Sequence, residues 1–234
     1  MDARRESPYV PLDSRASWAK GLLIVAGIVD LVAVLTGYAV YRLAAREEGT
    51  VTFEQFSAAE DRHGLVTMIQ MGVYILAAVV FIRWFHRAYK NLPTMGIEKL
   101  AHGTSMAIGA WFIPIASLVW PKQNADEIWK GSDPSLTPDR SGEWSRGKVP
   151  AFLGLWWLTF IASGLLVMAG TRLWESAETF SDLKLAILFE IIGDGLGVFS
   201  GVLAYGVVDR TSERQEARAS NFALWRTALP EPSS

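Results

Sequence analysis

Three carboxylates stand inside long apolar stretches of this chain: Asp30 in the first, Glu190 and Asp194 in the last. Placing such a group at the centre of a bilayer costs about 3 kcal/mol on insertion scales, which marks these positions as candidates for function. Glu190 and Asp194 are four residues apart and share one helix face. Gly193, Gly197 and Gly201 repeat at the same spacing. At about 100° per residue, all five positions fall within an arc of roughly 100°. A ridge of small residues lets a second backbone approach closely. The carboxylates therefore point toward another helix rather than into lipid. No Lys or Arg lies deep in any apolar stretch, since Lys184 sits at an outer end. Three fates for the acids are open. They can take up a proton on burial, accept hydrogen bonds from Tyr38, Tyr41, Gln70, Tyr74 or Thr67, or bind a monovalent cation. Asp30, Glu190 and Asp194 form a candidate intramembrane proton or cation site.

Other chemistries lack residues. His63, His86 and His102 fall at the boundaries of apolar stretches, none at helical ligand spacing from another, so they read as interfacial polar residues. No metal site, haem or other cofactor is expected. The absence of cysteine excludes disulfides, iron–sulfur clusters and thiolate sites. Neither a Gly-rich phosphate loop nor a Ser-His-Asp or His-Glu-x-x-His pattern occurs, and the chain reads as non-enzymatic. A net charge of −2 gives no basic excess for nucleic acid.

Helices must position the acids. Trp18–Tyr41, Leu65–Ile82, Gly103–Trp120, Ala151–Gly170 and Leu183–Val208 hold nearly all the apolar residues and almost no charge. At about 1.5 Å per residue, runs of this length match a hydrocarbon core about 30 Å thick. In lipid the backbone must satisfy its own polar groups, so the expected class is all-α integral membrane, a single membrane domain. The first run exceeds the roughly 7–15 residues of a cleavable signal core and is expected to stay as an anchor.

Basic residues near helix ends mark the cytoplasmic side. The leader, residues 1–17 with the adjoining Lys20, carries Arg4, Arg5 and Arg15. The exit of the second run carries Arg83, Arg87, Lys90 and Lys99. The tail, 209–234, carries Arg210, Arg214, Arg218 and Arg226. Loop 42–64, with Glu47, Glu48, Glu54, Glu60 and Asp61, and loop 171–182, with Glu175, Glu178 and Asp182, read as outside. Segment 121–149 is basic, yet five simple crossings would put it outside, and the tail with it.

The conflict disappears if Gly103–Trp120 enters the membrane and returns. Pro114 breaks this run and Pro121 closes it. A break at Trp111–Pro114 is expected; the alternative is a kinked fifth transmembrane helix. In the first case four runs cross, and both termini are cytoplasmic. Lys122–Lys130 is expected to be a short helix on the membrane face, with Ile128 and Trp129 in the interface. Loop Ser132–Pro150, rich in Ser, Pro and Gly, is expected to be mobile. Arg210, Arg214 and Arg218 either meet anionic headgroups or line a solvated helix end. Arg83, Arg87 and Lys90 either anchor headgroups or bind an acidic partner or small anion. The tryptophans mostly cluster near the expected boundaries, as interface belts do. The two crossing pairs share a plan that suggests a loose two-fold relation.

The run Trp84-Phe-His-Arg87-Ala-Tyr-Lys-Asn91, then Trp111-Phe112-Ile-Pro114-Ile-Ala, Trp120-Pro121 and Glu127-Ile-Trp129 resembles the domain of unknown function 4328 family of uncharacterised bacterial membrane proteins. The resemblance extends from the Phe53–Asp61 segment to the tail and is tightest between Trp84 and Trp129. Ser117 departs from the asparagine of many members. The resemblance implies the bacterial cytoplasmic (inner) membrane and supplies no activity.

Two functions fit these residues. The first is a non-enzymatic scaffold or partner-binding protein, whose Gly ridge serves a homo-oligomer or a membrane protein partner. The second is a small proton- or cation-linked permease or channel subunit that uses the buried carboxylates. The lipid bilayer is a partner in both.

Overall fold

A computed structural model describes residues 8–46 and 50–228. Arg4, Arg5, Glu47 and Glu48 of the charge pattern, the side chain of Arg226 and residues 229–234 lie outside the described residues. The described chain is all-α, without strands: α1 (Asp13–Ala44), α2 (Phe53–Asn91), α3 (Met106–Gly109), α4 (Trp120–Gly131), α5 (Ala151–Glu175) and α6 (Phe180–Ala228). Among the described residues α1, α2, α5 and α6 are long and apolar enough to cross a membrane.

The helices outrun their apolar stretches because local caps start them earlier. At the head of α2, the Thr52 N–H donates to Gln55 Oε1 and the Gln55 N–H to Thr52 Oγ1, both at 3.2 Å, a reciprocal capping box. Thr179 and Asp182 do the same for α6, at 3.0 and 3.2 Å. Much of the segment read as loop 42–64 is therefore helix.

The chain divides into two compact units. One, the stem, comprises Gly21–Ala78 and Leu155–Tyr205, parts of the four long helices. Its surface is apolar: Ile24, Ile28, Leu31 and Leu35 on α1, Met68 and Ile75 on α2, Leu158 and Leu165 on α5, and Leu185 and Ile192 on α6 are all exposed. Small and polar residues fill its interior instead, among them Ala26, Ala33, Ala186, Asp30, Gln70 and Asp194. Water selects the opposite distribution, and helices packed in lipid favour this one. A minor cluster of Val40, Ala59 and Ile187, with Phe56 and Trp174 packed on it, closes one end.

The other unit comprises Met1–Lys20, Val79–Gly154 and Gly206–Ser234. Trp84, Phe85, Tyr89, Leu92, Met95, Ile97 and Ile128 are fully buried in it. Its polar interior corrects two expectations. Arg218 meets neither headgroups nor solvent: it is 0 % exposed and donates to the carbonyls of Asp133, Leu136 and Met95, each at 3.0 Å. Arg214 pairs with Asp133 at 2.7 Å and lies over the Trp129 ring, while Arg210 lies over Phe152. Consequently the Ser132–Pro150 segment is held in place, with a 3-10 turn at Pro138–Arg146 and buried Ser141 and Trp144. Regular arginine spacing on one helix face thus hides unequal surroundings, since Arg210 is exposed, Arg214 half-buried and Arg218 buried.

The Gly103–Trp120 stretch is no fifth spanning helix. α3 has four residues, the chain turns through 110–115, and a 3-10 turn at Ala116–Leu118 leads into α4. The break falls at the expected Trp111–Pro114 position. The two limbs are tied together: the Ala101 N–H donates to Glu127 Oε1, and His102 Nδ1 lies against Asn124 Oδ1, both at 2.9 Å. The Tyr89 hydroxyl donates to Glu127 Oε2 at 2.7 Å. The two ends of the segment therefore lie side by side. α4 forms as expected, but Ile128 is buried within the unit rather than at a membrane face.

Candidate functional site

The stem gathers two polar layers around α6. In the first, Gln70 of α2 donates through Nε2 toward Asp30 Oδ1 of α1 and Asp194 Oδ1 of α6, both at 2.9 Å. The Tyr74 hydroxyl, one turn along α2, donates to Asp30 Oδ1 at 2.6 Å. Asp30 and Asp194 are 2 % and 5 % exposed, while Tyr74 is 40 % exposed, so its ring runs from the surface to the carboxylate. Two hydrogen-bond donors thus serve a pair of acids that share one amide.

The second layer lies one turn away, about 6 Å along the axis of α6. Glu190 Oε2 sits 3.6 Å from His63 Nε2 of α2, and His63 Nδ1 is 3.0 Å from Thr36 Oγ1 of α1. Thr36 Oγ1 also reaches the Val32 and Ala33 carbonyls, at 3.0 and 3.1 Å. His63 is 7 % exposed, which corrects the expectation of an interfacial histidine: α2 begins ten residues before it and carries it into the stem. The missed signal was its register. His63, Gln70 and Tyr74 are seven and then four residues apart, one stripe of a helix. Of the other expected donors, Tyr38 is exposed, Tyr41 packs in the apolar cluster, and Thr67 bonds its own helix at the His63 carbonyl.

Glycines allow these layers to close. A Cβ at Gly197 would lie 2.9 Å from Asp30 Oδ2, 3.3 Å from Tyr74 Oη and 3.4 Å from Ser163 Oγ. At Gly193 it would meet Val167 Cγ2 at 2.7 Å, and the Ser163 hydroxyl donates to the Gly193 carbonyl at 2.8 Å. At Gly170 it would meet Glu190 Cγ at 2.6 Å. Gly201 has only the Leu23 carbonyl, at 3.8 Å. Gly193 and Gly197 are therefore occupied by the chain's own helices.

Among the described residues no group of three or more His, Asp or Glu side chains is arranged to hold a metal ion. The site itself is four titratable side chains and a tyrosine, in two layers, within one helical bundle.

The remaining motif residues build the other unit. Trp84 Nε1 donates to Ser212 Oγ at 2.9 Å. Asn91 brackets Val10, accepting its N–H at 3.3 Å and donating to its carbonyl at 2.9 Å. Through Nδ2 it also reaches Gln215 Oε1 at 2.9 Å. Arg87 Nη2 donates to the Pro8 carbonyl at 3.3 Å. Trp111 packs edge-on against Phe81 and Phe85, Phe112 and Pro114 are exposed, and Pro121 is buried at the start of α4. Trp129 lies beneath Arg214 and edge-on to Phe152. These positions are structural ties, apart from the exposed pair.

Residues 47–213, well over half of the chain, match the family model described as Domain of unknown function (DUF4328). The chain belongs to that family. No curated protein and no solved structure matches it.

Proposed function

We propose that this member of the DUF4328 family is a non-enzymatic, multi-pass protein of a bacterial cytoplasmic membrane that takes up and passes protons through its stem. One observation carries the reading: Glu190 and Asp194, one turn apart on α6, are each met by polar side chains of α2, with Thr36 and Asp30 of α1 completing the layers. Ionisable residues inside a membrane bundle that pair with one another are the usual parts of proton relays. In this account His63–Glu190 and Asp194–Asp30 are two stations, Gln70 positions the aspartates, and the Tyr74 hydroxyl holds Asp30 from the second side. Four crossings leave both termini on one face. The basic exits of α2 and α6 assign that face to the cytoplasm.

A scaffold or oligomer-forming protein is the competing reading. It leaned on a Gly ridge open to a second copy, and Gly193 and Gly197 already meet Val167 and Asp30 of their own chain.

Proteoliposomes loaded with a pH-sensitive dye test the proposal. An imposed potassium diffusion potential is expected to drive proton entry, which Glu190→Gln combined with Asp194→Asn abolishes. No entry in the wild type, with partner proteins co-purifying, would favour the scaffold.

A further inference from the structure

We propose that the 103–120 hairpin is a shallow lipid wedge, seated at the boundary between headgroups and hydrocarbon in one leaflet. This inference rests on the membrane reading of the long helices and adds a partner, a depth and an anchor. Its tip is apolar and open: Phe112 is 72 % and Ile115 80 % exposed, with Ile113, Leu118 and Val119 also exposed. Ile115 has φ +67°, a region that a β-branched residue rarely adopts. The strained backbone thus presents an apolar side chain that is largely uncovered by its own unit, an exposure that water disfavours.

The depth follows from what the hairpin leans on. Trp111 sits with ring centroids 5.9 Å from Phe81 and 5.6 Å from Phe85, on either side of Ile82, where the apolar stretch of α2 ends. One turn into that stretch, Val79 is exposed and apolar; one turn on, just past its end, Arg83 is exposed and basic. An apolar tip abreast of the last apolar turn, beside a cation, matches the level where acyl chains give way to headgroups. The hydrogen bonds between limbs, from Ala101 to Glu127 and from His102 to Asn124, hold the base of the hairpin closed while its tip is in lipid.

The chain has no cysteine, so single labels report cleanly. Spin labels on Phe112→Cys and Ile115→Cys, with Val79→Cys as lipid reference and Ser145→Cys as water reference, are compared in bilayers for collision with oxygen and with a water-soluble nickel chelate. All four positions are exposed, so the labels need displace no core residue. The expected result places 112 and 115 in lipid, shallower than 79, with nickel collisions several-fold fewer than at 145. Labels at 112 and 115 as wet as 145, with 79 in lipid, would overturn the wedge and leave the membrane reading standing. Labels shielded from both agents would instead show a second copy or another protein covering the tip, and would also overturn it. Water at 79 as well would sink both readings together.

Discussion

His63 Nε2 and Glu190 Oε2 lie 3.6 Å apart, and each stands on a helix that also supplies the other polar layer, Gln70 on α2 and Asp194 on α6. The pair gives His63 partners on both ring nitrogens, since Nδ1 meets Thr36. Replacing His63 by Leu leaves Glu190 and Thr36 facing an apolar group. A loss of about 1–3 kcal/mol in stability is expected, read as a lower unfolding midpoint in detergent. An unchanged midpoint would mean that the pair does not hold the stem together.

Gly193→Ala and Gly197→Ala each force a methyl into contact, on Val167 and on Asp30 respectively, and each is expected to cost about 1–3 kcal/mol. Gly195→Ala, on the same helix with nothing within 4 Å, is expected to be neutral or slightly stabilising. Thermal unfolding of the three variants checks the order. If Gly193→Ala unfolds like the wild type but changes the oligomeric state, the glycines serve another copy.

The presence of the stem helices was legible because apolar runs of spanning length leave few alternatives in lipid. Their true starts were legible in principle, in Thr52-x-x-Gln55 and Thr179-x-x-Asp182, but a hydropathy pattern marks where lipid ends rather than where a helix does. Asp30, Glu190 and Asp194 were visible as charges in apolar surroundings. His63 was not, since a residue at the edge of an apolar run looks interfacial until the helix is known to begin at Phe53. The seat of Arg218 on α6 was hidden for a different reason. Its acceptors are carbonyls of Met95, Asp133 and Leu136, and carbonyl positions leave no trace in residue types.

Arg218→Met is expected to leave three carbonyls without their donor and to cost about 2–5 kcal/mol. The effect belongs to the Ser132–Pro150 segment, so limited proteolysis should cut there first. Arg218→Lys should rescue only part of the loss, because one ammonium cannot reproduce a planar fork. Equal protease resistance in all three proteins would remove Arg218 as the tie.

Acid should loosen the same segment. Burial alone would raise the Asp133 carboxyl, but the Ser135 N–H and hydroxyl and the Arg214 guanidinium outweigh it and hold it below its ordinary 3.8. A folded value below the unfolded one contributes stability that is fully present above 3.8 and disappears as pH falls through the depressed folded value. Tryptophan fluorescence during acid titration should show a transition there in the wild type that Asp133→Asn lacks. A transition shared by both proteins would assign it elsewhere.

The central claim is that the two layers of the stem carry protons in series. Proton entry into proteoliposomes under a fixed diffusion potential, measured for Glu190→Gln and Asp194→Asn separately, tests it most directly. Stations in series predict that either single change stops the flux while each protein still folds and inserts. Flux that survives both single changes, or that is missing from the wild type, would contradict the account.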